Sequence, residues 1–113
     1  MKRSQVLDTA KEYVCKGREE THGKPEDTFA TIAEFWSIYL DVRLEAHDVA
    51  AMMALLKLAR VKANFENDDN WVDLAGYSAC GAELAEALKK ENPEIDWYSP
   101  ELTLNFLFGN VDD

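Results

Sequence analysis

Apolar residues recur at three- and four-residue spacing along most of this chain, a pattern typical of amphipathic helices. The predicted helices cover residues 4–16, about 28–41, 46–63 and 71 to about 90. The residues expected to cap them are Ser4 for the first helix, Asp27 or Thr28 for the second, and Asp69 or Asn70 for the fourth. The pattern predicts an all-α fold, a compact bundle of four main helices.

The two C-terminal main helices have unusual compositions. Residues 46–63 are apolar on almost every side, so we expect this helix to be central and mostly buried. The last main helix contains Gly76 and Gly81, each of which costs about 1 kcal/mol relative to alanine inside a helix. Close approach of another helix would explain both glycines.

The tail after Pro93 is apolar as well. Ser99-Pro100 is a good helix start, and it is followed by Leu102, Leu104, Phe106, Leu107 and Phe108. This surface must be covered either by the protein's own core or by a second copy, which favours a homodimer or a higher homo-oligomer. We therefore expect one helical domain over residues 1–113, with a core over about 4–91 and a C-terminal extension over 92–113.

Composition fits one domain with a real core, since 47% of the 113 residues are apolar. The chain carries 22 acidic and 12 basic side chains, for a net charge of −10. This charge argues against direct binding of nucleic acid and against binding to anionic membranes. Residues 1–60 hold 9 basic and 10 acidic side chains, a net charge of −1. Residues 61–113 hold 3 basic and 12 acidic side chains, a net charge of −9. The acidic second half is either a solvated helix face or a surface for a basic partner.

Nothing in the sequence predicts export or a membrane span. The start, Met1-Lys2-Arg3-Ser4-Gln5, is not followed by the apolar run of a signal peptide, and no stretch of 18 apolar residues occurs. The two cysteines, Cys15 and Cys80, form no metal or redox motif. The expected location is the cytoplasm.

Two sets of basic residues are candidates for phosphate binding. Arg18 and His22 lie in a Gly- and Pro-containing loop, where they either contact a phosphate or simply shape and pack a turn. Lys57 and Arg60 share one helix face. A cationic pair on so apolar a helix needs anionic partners, which are either the acidic residues 68–73 or a phosphate-bearing ligand.

A stripe on the last main helix is the candidate metal site. Asp69, Asp73 and Tyr77 follow one another at four-residue spacing. Two such carboxylates, with water, can hold Mg²⁺. The alternative is that Asp69 caps the helix and Asp73 pairs with Lys57 or Arg60. The sequence contains no Gly-rich phosphate loop and no Cys-x-x-Cys zinc motif.

These motifs together resemble an uncharacterised family of small phage and prophage proteins, over roughly residues 4–85. The matching segments are Arg18-x-x-x-His22-Gly23-x-Pro25, Phe35-Trp36, Met52-Met53, Leu56-Lys57-x-Ala59-Arg60 and Asp69-Asn70-Trp71-x-Asp73-x-x-Gly76-Tyr77. More distantly, the chain is similar to helical domains associated with phage nucleotide modification. Those domains are in turn similar to the MazG and dimeric dUTPase type of all-α nucleoside triphosphate pyrophosphohydrolases.

The distant resemblance implies nucleotide chemistry, but the chain departs from those enzymes. They carry Glu-Glu-x-x-Glu on a metal-binding helix. Here Glu19-Glu20 supplies the first two glutamates, and Gly23 stands where the third would be. Lys57 and Arg60 stand where a second acidic set is expected, and Asp73 alone matches the second metal helix. The resemblance therefore implies a nucleotide binder or an inactive relative more than an active enzyme.

We expect a small phage-type accessory protein that binds a nucleotide or a nucleotide-derived phosphate ligand, without efficient catalysis. The predicted ligand-binding residues are Arg18, His22, Lys57, Arg60, Asp73, Tyr77 and Trp36, the last two by stacking on a base. One alternative is an acidic phage inhibitor that binds a basic host protein, such as a defence or nucleic-acid enzyme. A second alternative is a Mg²⁺-dependent pyrophosphohydrolase, with Asp69 and Asp73 as metal ligands.

Overall fold

The computed structural model describes residues 1–17 and 24–97. The helices are α1 (Arg3–Glu12), which continues into a π-helical turn (Tyr13–Gly17), α2 (Pro25–Leu40), α3 (Ala46–Ala63) and α4 (Asp68–Glu91). The described residues contain four main helices and no strand, which confirms the all-α prediction. The tail helix predicted after Ser99 lies outside the described residues.

The first helix begins before the predicted cap. Lys2, and not Ser4, precedes α1, and its backbone N–H donates to the Gln5 side-chain oxygen at 2.8 Å. The Gln5 side chain thus accepts from the N–H of the residue that precedes the helix, which is the second half of a capping box, and no side chain at position 2 caps the first turn. The helix was also expected to continue regularly to Lys16, but it widens into the π-helical turn Tyr13–Gly17.

The second helix also begins earlier than predicted. Pro25 occupies the first turn of α2, so the expected caps Asp27 and Thr28 lie inside the helix. Proline is favoured at this position because its fixed φ suits a helix and its missing N–H is not needed there. The helix ends as predicted near Asp41, whose backbone takes a left-handed conformation with φ of 53°.

The third helix has the predicted bounds, and the fourth begins slightly early. Asn67 caps α4, because its side-chain oxygen accepts a hydrogen bond from the Asp69 N–H at 3.0 Å. The predicted caps Asp69 and Asn70 therefore lie within the first turn. Asp68 and Asp69 add negative charge at this helix N-terminus, which the helix dipole favours.

The core lies where α2, α3 and α4 meet. Phe29 and Ala33 of α2 pack against Val49 and Ala50 of α3, and the last two residues have no exposed surface. The Tyr77 ring of α4 lies 6.0 Å from the Phe29 ring, centre to centre. Helix α1 packs on α4 rather than on this core.

Both helix glycines allow close packing, as predicted. A Cβ on Gly76 would lie 3.1 Å from the Val14 side chain of the π-helical turn. A Cβ on Gly81 would lie 3.3 Å from the Ala50 Cβ, which is attached directly to the backbone of α3. The second contact therefore sets the distance between α3 and α4, because neither side has a flexible side chain that could move.

Helix α3 is central but not mostly buried, and that prediction is wrong. Only Val49 and Ala50 are buried, whereas Leu55 is 64% exposed and Met52, Leu56 and Leu58 are exposed as well. The reason is geometric. Helices α2 and α4 cover two sectors of α3, and nothing in the described residues covers the third.

We predict that Gly81→Leu destabilises the protein, whereas Ala82→Leu is tolerated. The first change forces side-chain atoms against Ala50, and overpacking of this kind costs about 1–3 kcal/mol. Ala82 is the next residue of α4 and is exposed, so its larger side chain has space. Urea unfolding of both variants measures the difference, and equal stabilities would contradict the close contact.

Candidate functional site

Lys57 and Asp73 form an ion pair between α3 and α4. Lys57 Nζ lies 2.8 Å from Asp73 Oδ2, and the two side chains are 11% and 28% exposed. Of the two partners left open for Lys57, the structure provides the acidic one. A phosphate that bound Lys57 would have to displace the Asp73 carboxylate.

The other predicted phosphate contacts are not brought to this pair. Arg60 lies about one turn farther along α3, and its side chain is exposed. Arg18 and His22 fall outside the described residues, so their roles stay predictions. The structure thus places one of the four cations, Lys57, in a defined contact.

The two aromatic candidates for base stacking contribute to the core. Trp36 packs against the cluster of Phe29, Ala33 and Val49, and Tyr77 packs there too. Both side chains are partly buried. Their first role is therefore structural, and Tyr77 alone also borders a groove that is described below.

The predicted Mg²⁺ ligands lie one turn apart on α4. Asp69 is exposed in the first turn, and the Asp73 carboxylate already contacts Lys57. In residues 1–17 and 24–97, no group of three or more His, Cys, Asp or Glu side chains could hold a metal ion. A Mg²⁺ ion at Asp69 and Asp73 would have to compete with the Lys57 ammonium group.

The α1–α3–α4 groove is an open depression of about 1010 Å³ between α1 and α3, with α4 as its floor. Trp71 and Tyr77 border it, and small residues line much of the rest. At one side lies His47, whose Nδ1 is buried without a hydrogen-bond partner. Sequence reasoning missed this groove because its walls come from three helices that are far apart in the chain.

A smaller groove of about 550 Å³ lies beside the end of the described chain. Trp97 borders it, with its indole N–H buried and unpartnered. The Arg43 guanidinium lies 5.9 Å from the centre of the Trp97 ring, within the range of a cation–π contact. The groove contains apolar and charged walls from α4 and the α2–α3 loop.

The two cysteines differ in their surroundings. Both are free, with Cys15 exposed and Cys80 partly buried. Burial raises the pKa of the Cys80 thiol, and the negative charge of Glu83 adds to this effect. A raised pKa lowers the thiolate fraction at neutral pH, so Cys80 is a poor nucleophile.

A large apolar surface, which we name the uncovered face, lies on the outer side of α2 and α3. Its members are Phe35, Ile38 and Tyr39 of α2 and Met52, Leu55 and Leu56 of α3, all exposed. Ile38 is 79% exposed and Tyr39 is 87% exposed. Helix α2 therefore has two apolar sides, an inner one in the core and an outer one that nothing in the described residues covers.

We predict that Lys57→Met lowers the free energy of unfolding by about 1–3 kcal/mol, because it leaves Asp73 without its charge partner between two helices. The figure lies between those of an exposed pair and a fully buried one. The double variant Lys57→Met/Asp73→Leu should recover much of the loss. Lys90→Met is the matched control, since it breaks the exposed Lys90–Glu86 pair. A Lys57 variant as stable as the control would contradict a structural role. Urea unfolding measures all three.

No helix among the described residues combines the length and the apolarity that a membrane span requires.

The curated relatives are phage proteins. The gene 55 protein of Mycobacterium phage D29 is 35% identical over 81 residues, which are 72% of this chain and 54% of that protein. The gene 55 protein of Mycobacterium phage L5 is 38% identical over 74 residues, which are 65% of this chain and 47% of that protein.

The chain thus spans about half the length of the curated relatives it matches. No solved structure matches it significantly. A family model described as a domain of unknown function, DUF6378, matches residues 5–85. This match confirms the predicted resemblance to a family of small phage proteins, and the more distant similarity to pyrophosphohydrolases stays a prediction. Since the match covers well over half of the chain, the protein belongs to the DUF6378 family.

Proposed function

We propose that this phage-type accessory protein acts by binding another protein chain through the uncovered face. The observation that carries the proposal is the set of six large apolar side chains on the outer side of α2 and α3. Such exposure opposes the hydrophobic effect unless a partner covers it.

The extent of the uncovered face supports a protein partner. Large side chains present on the order of 200 Å² each when exposed, so six partly exposed ones present roughly 800 Å². The largest apolar patch of an ordinary monomer measures about 300–600 Å². A surface of this size is what one partner contributes to a standard protein–protein interface.

The contacts of the predicted ligand-binding residues also favour a protein partner over a phosphate ligand. Lys57 is held by Asp73, and Tyr77 packs on Phe29. Lys57 was expected to contact a phosphate and Tyr77 to stack on a base, and both already have contacts within the protein. The strongly acidic second half is a different surface, and the basic partner expected for an acidic phage inhibitor would bind there rather than on the uncovered face.

We predict that a photo-crosslinking amino acid at position 39 captures a protein in cells that produce the chain, because Tyr39 is the most exposed member of the uncovered face. The matched control carries the same amino acid at Lys11, an exposed position on α1. Denaturing gels compare the two. Cross-linked products at position 39 that exceed those at position 11 are expected, and equal yields would overturn the proposal.

A second candidate function is the binding of a nucleotide-type ligand in the α1–α3–α4 groove. Two observations favour it: the volume of about 1010 Å³, which reaches the upper range of small-molecule sites, and the two aromatic side chains Trp71 and Tyr77 at its border. His47 also lines this groove. This candidate retains Tyr77 from the predicted ligand set and gives no direct role to Lys57.

We predict for this candidate that at least one nucleotide in a panel of mono-, di- and triphosphates raises the melting temperature. A ligand at a hundredfold excess over its dissociation constant adds about 2.7 kcal/mol of stability. Ser78→Phe partly fills the groove and should abolish the shift, whereas Ala79→Phe, next to it but outside the groove, should not. Running the panel with and without Mg²⁺ tests the pyrophosphohydrolase alternative. A flat panel would exclude this candidate.

A further inference from the structure

We infer that the partner on the uncovered face is a second copy of this chain, so that α2 and α3 of two copies form one four-helix interface. The inference rests on the proposed function and names the partner. It also moves the expected interface from the C-terminal tail to the α2–α3 pair.

The exposed apolar residues of α2 and α3 lie on the sides of the two helices that face away from α4. Successive helix residues turn by about 100°, so the inner and outer positions of each helix can be compared. Phe29 of α2 meets Tyr77, and Ala50 of α3 meets Gly81, which puts α4 on one side of the α2–α3 pair. Ile38 follows Phe29 by nine residues, which is about 180° around α2, and Met52 follows Ala50 by two, which is about 200° around α3, so both lie on the side away from α4.

The charge distribution favours a second copy over a basic protein as the partner. The segment 24–63 contains five basic and six acidic side chains, a net charge of −1, whereas residues 61–113 carry −9. Two chains of −10 repel each other unless they meet through a nearly neutral part. Along α3 from Met52 to Ala59 the one charged residue is Lys57, which pairs with Asp73 on the far side. A basic partner would instead be drawn to the acidic half.

The area agrees with what a stable dimer needs. The roughly 800 Å² of the uncovered face is about the area that each partner contributes to a standard interface. Most homodimers use the same patch on both subunits, related by a two-fold axis. The uncovered face can serve in this way because its six members carry no charge and therefore need no complementary charges.

The test uses the purified full-length chain and measures mass by sedimentation over a range of concentrations. The expected mass is twice the 12.8 kDa of the single chain. Ile38→Glu and Leu55→Glu should each weaken the dimer about a hundredfold or more, because the symmetric interface receives two buried charges. Ala79→Glu is the matched control, since it adds the same charge to an exposed position of α4 and should not change the mass. Circular dichroism and thermal melting verify that each variant folds, and Tyr39→Lys replaces any variant that does not.

The salt dependence of dimer formation gives an independent readout. Raising the salt from about 0.05 M to about 0.5 M should leave the dimer unchanged or strengthen it, because it screens the repulsion between the two acidic chains. A chain that stays monomeric at about 100 μM, or a dimer that Ile38→Glu and Leu55→Glu leave intact, would overturn the inference. A monomer whose position 39 still cross-links a host protein would overturn the inference and leave the proposed function standing. A monomer without that cross-link would overturn both.

Discussion

The close contact between α3 and α4 is the constraint on which the rest of the structure depends. Ala50 and Gly81 bring the two backbones together, and a Cβ on Gly81 would be only 3.3 Å from the Ala50 Cβ. The same approach lets Lys57 reach Asp73 at 2.8 Å. A wider spacing would open the core and separate the charges. The two smallest side chains therefore determine both the packing and the polar contact between these helices.

This arrangement leaves α3 with three environments. One side packs on α2, one side packs on α4, and the third joins the outer side of α2 in the uncovered face. Because the charged residue of this part of α3 is used against Asp73, the third side is apolar. The feature that stabilises the single chain thus also produces the surface that we assign to a partner.

The helices could be predicted well from the sequence because their apolar periodicity is strong. The close packing at Gly76 and Gly81 could be predicted because glycine destabilises a helix interior relative to alanine. Helix starts were less accurate at Ser4 and at Asp27 or Thr28, because both helices begin without a side-chain cap: Gln5 binds the N–H that precedes α1, and Pro25 starts α2. The exposure of Leu55 was not predictable, since apolarity on all sides indicates burial but does not say whether the same chain supplies it.

The candidate site shows the same limit. Spacing along α3 and α4 identified Lys57 and Asp73, and it left open whether they meet each other or a ligand. Their contact depends on the distance between two helices, which no local pattern encodes. The α1–α3–α4 groove was missed for the same reason, because it exists only once three separate helices have packed.

The contact between Ala50 and Gly81 also restricts how the family can vary. Glycine and alanine are the two smallest residues, so a larger side chain at one position cannot be matched by a smaller one at the other. One exchange keeps the total volume, namely Ala50→Gly together with Gly81→Ala. It removes the methyl group at position 50 and adds one at position 81. The substitutions open to these two positions are therefore nearly reduced to this exchange, whereas the exposed position Ala82 beside Gly81 is under no such packing limit.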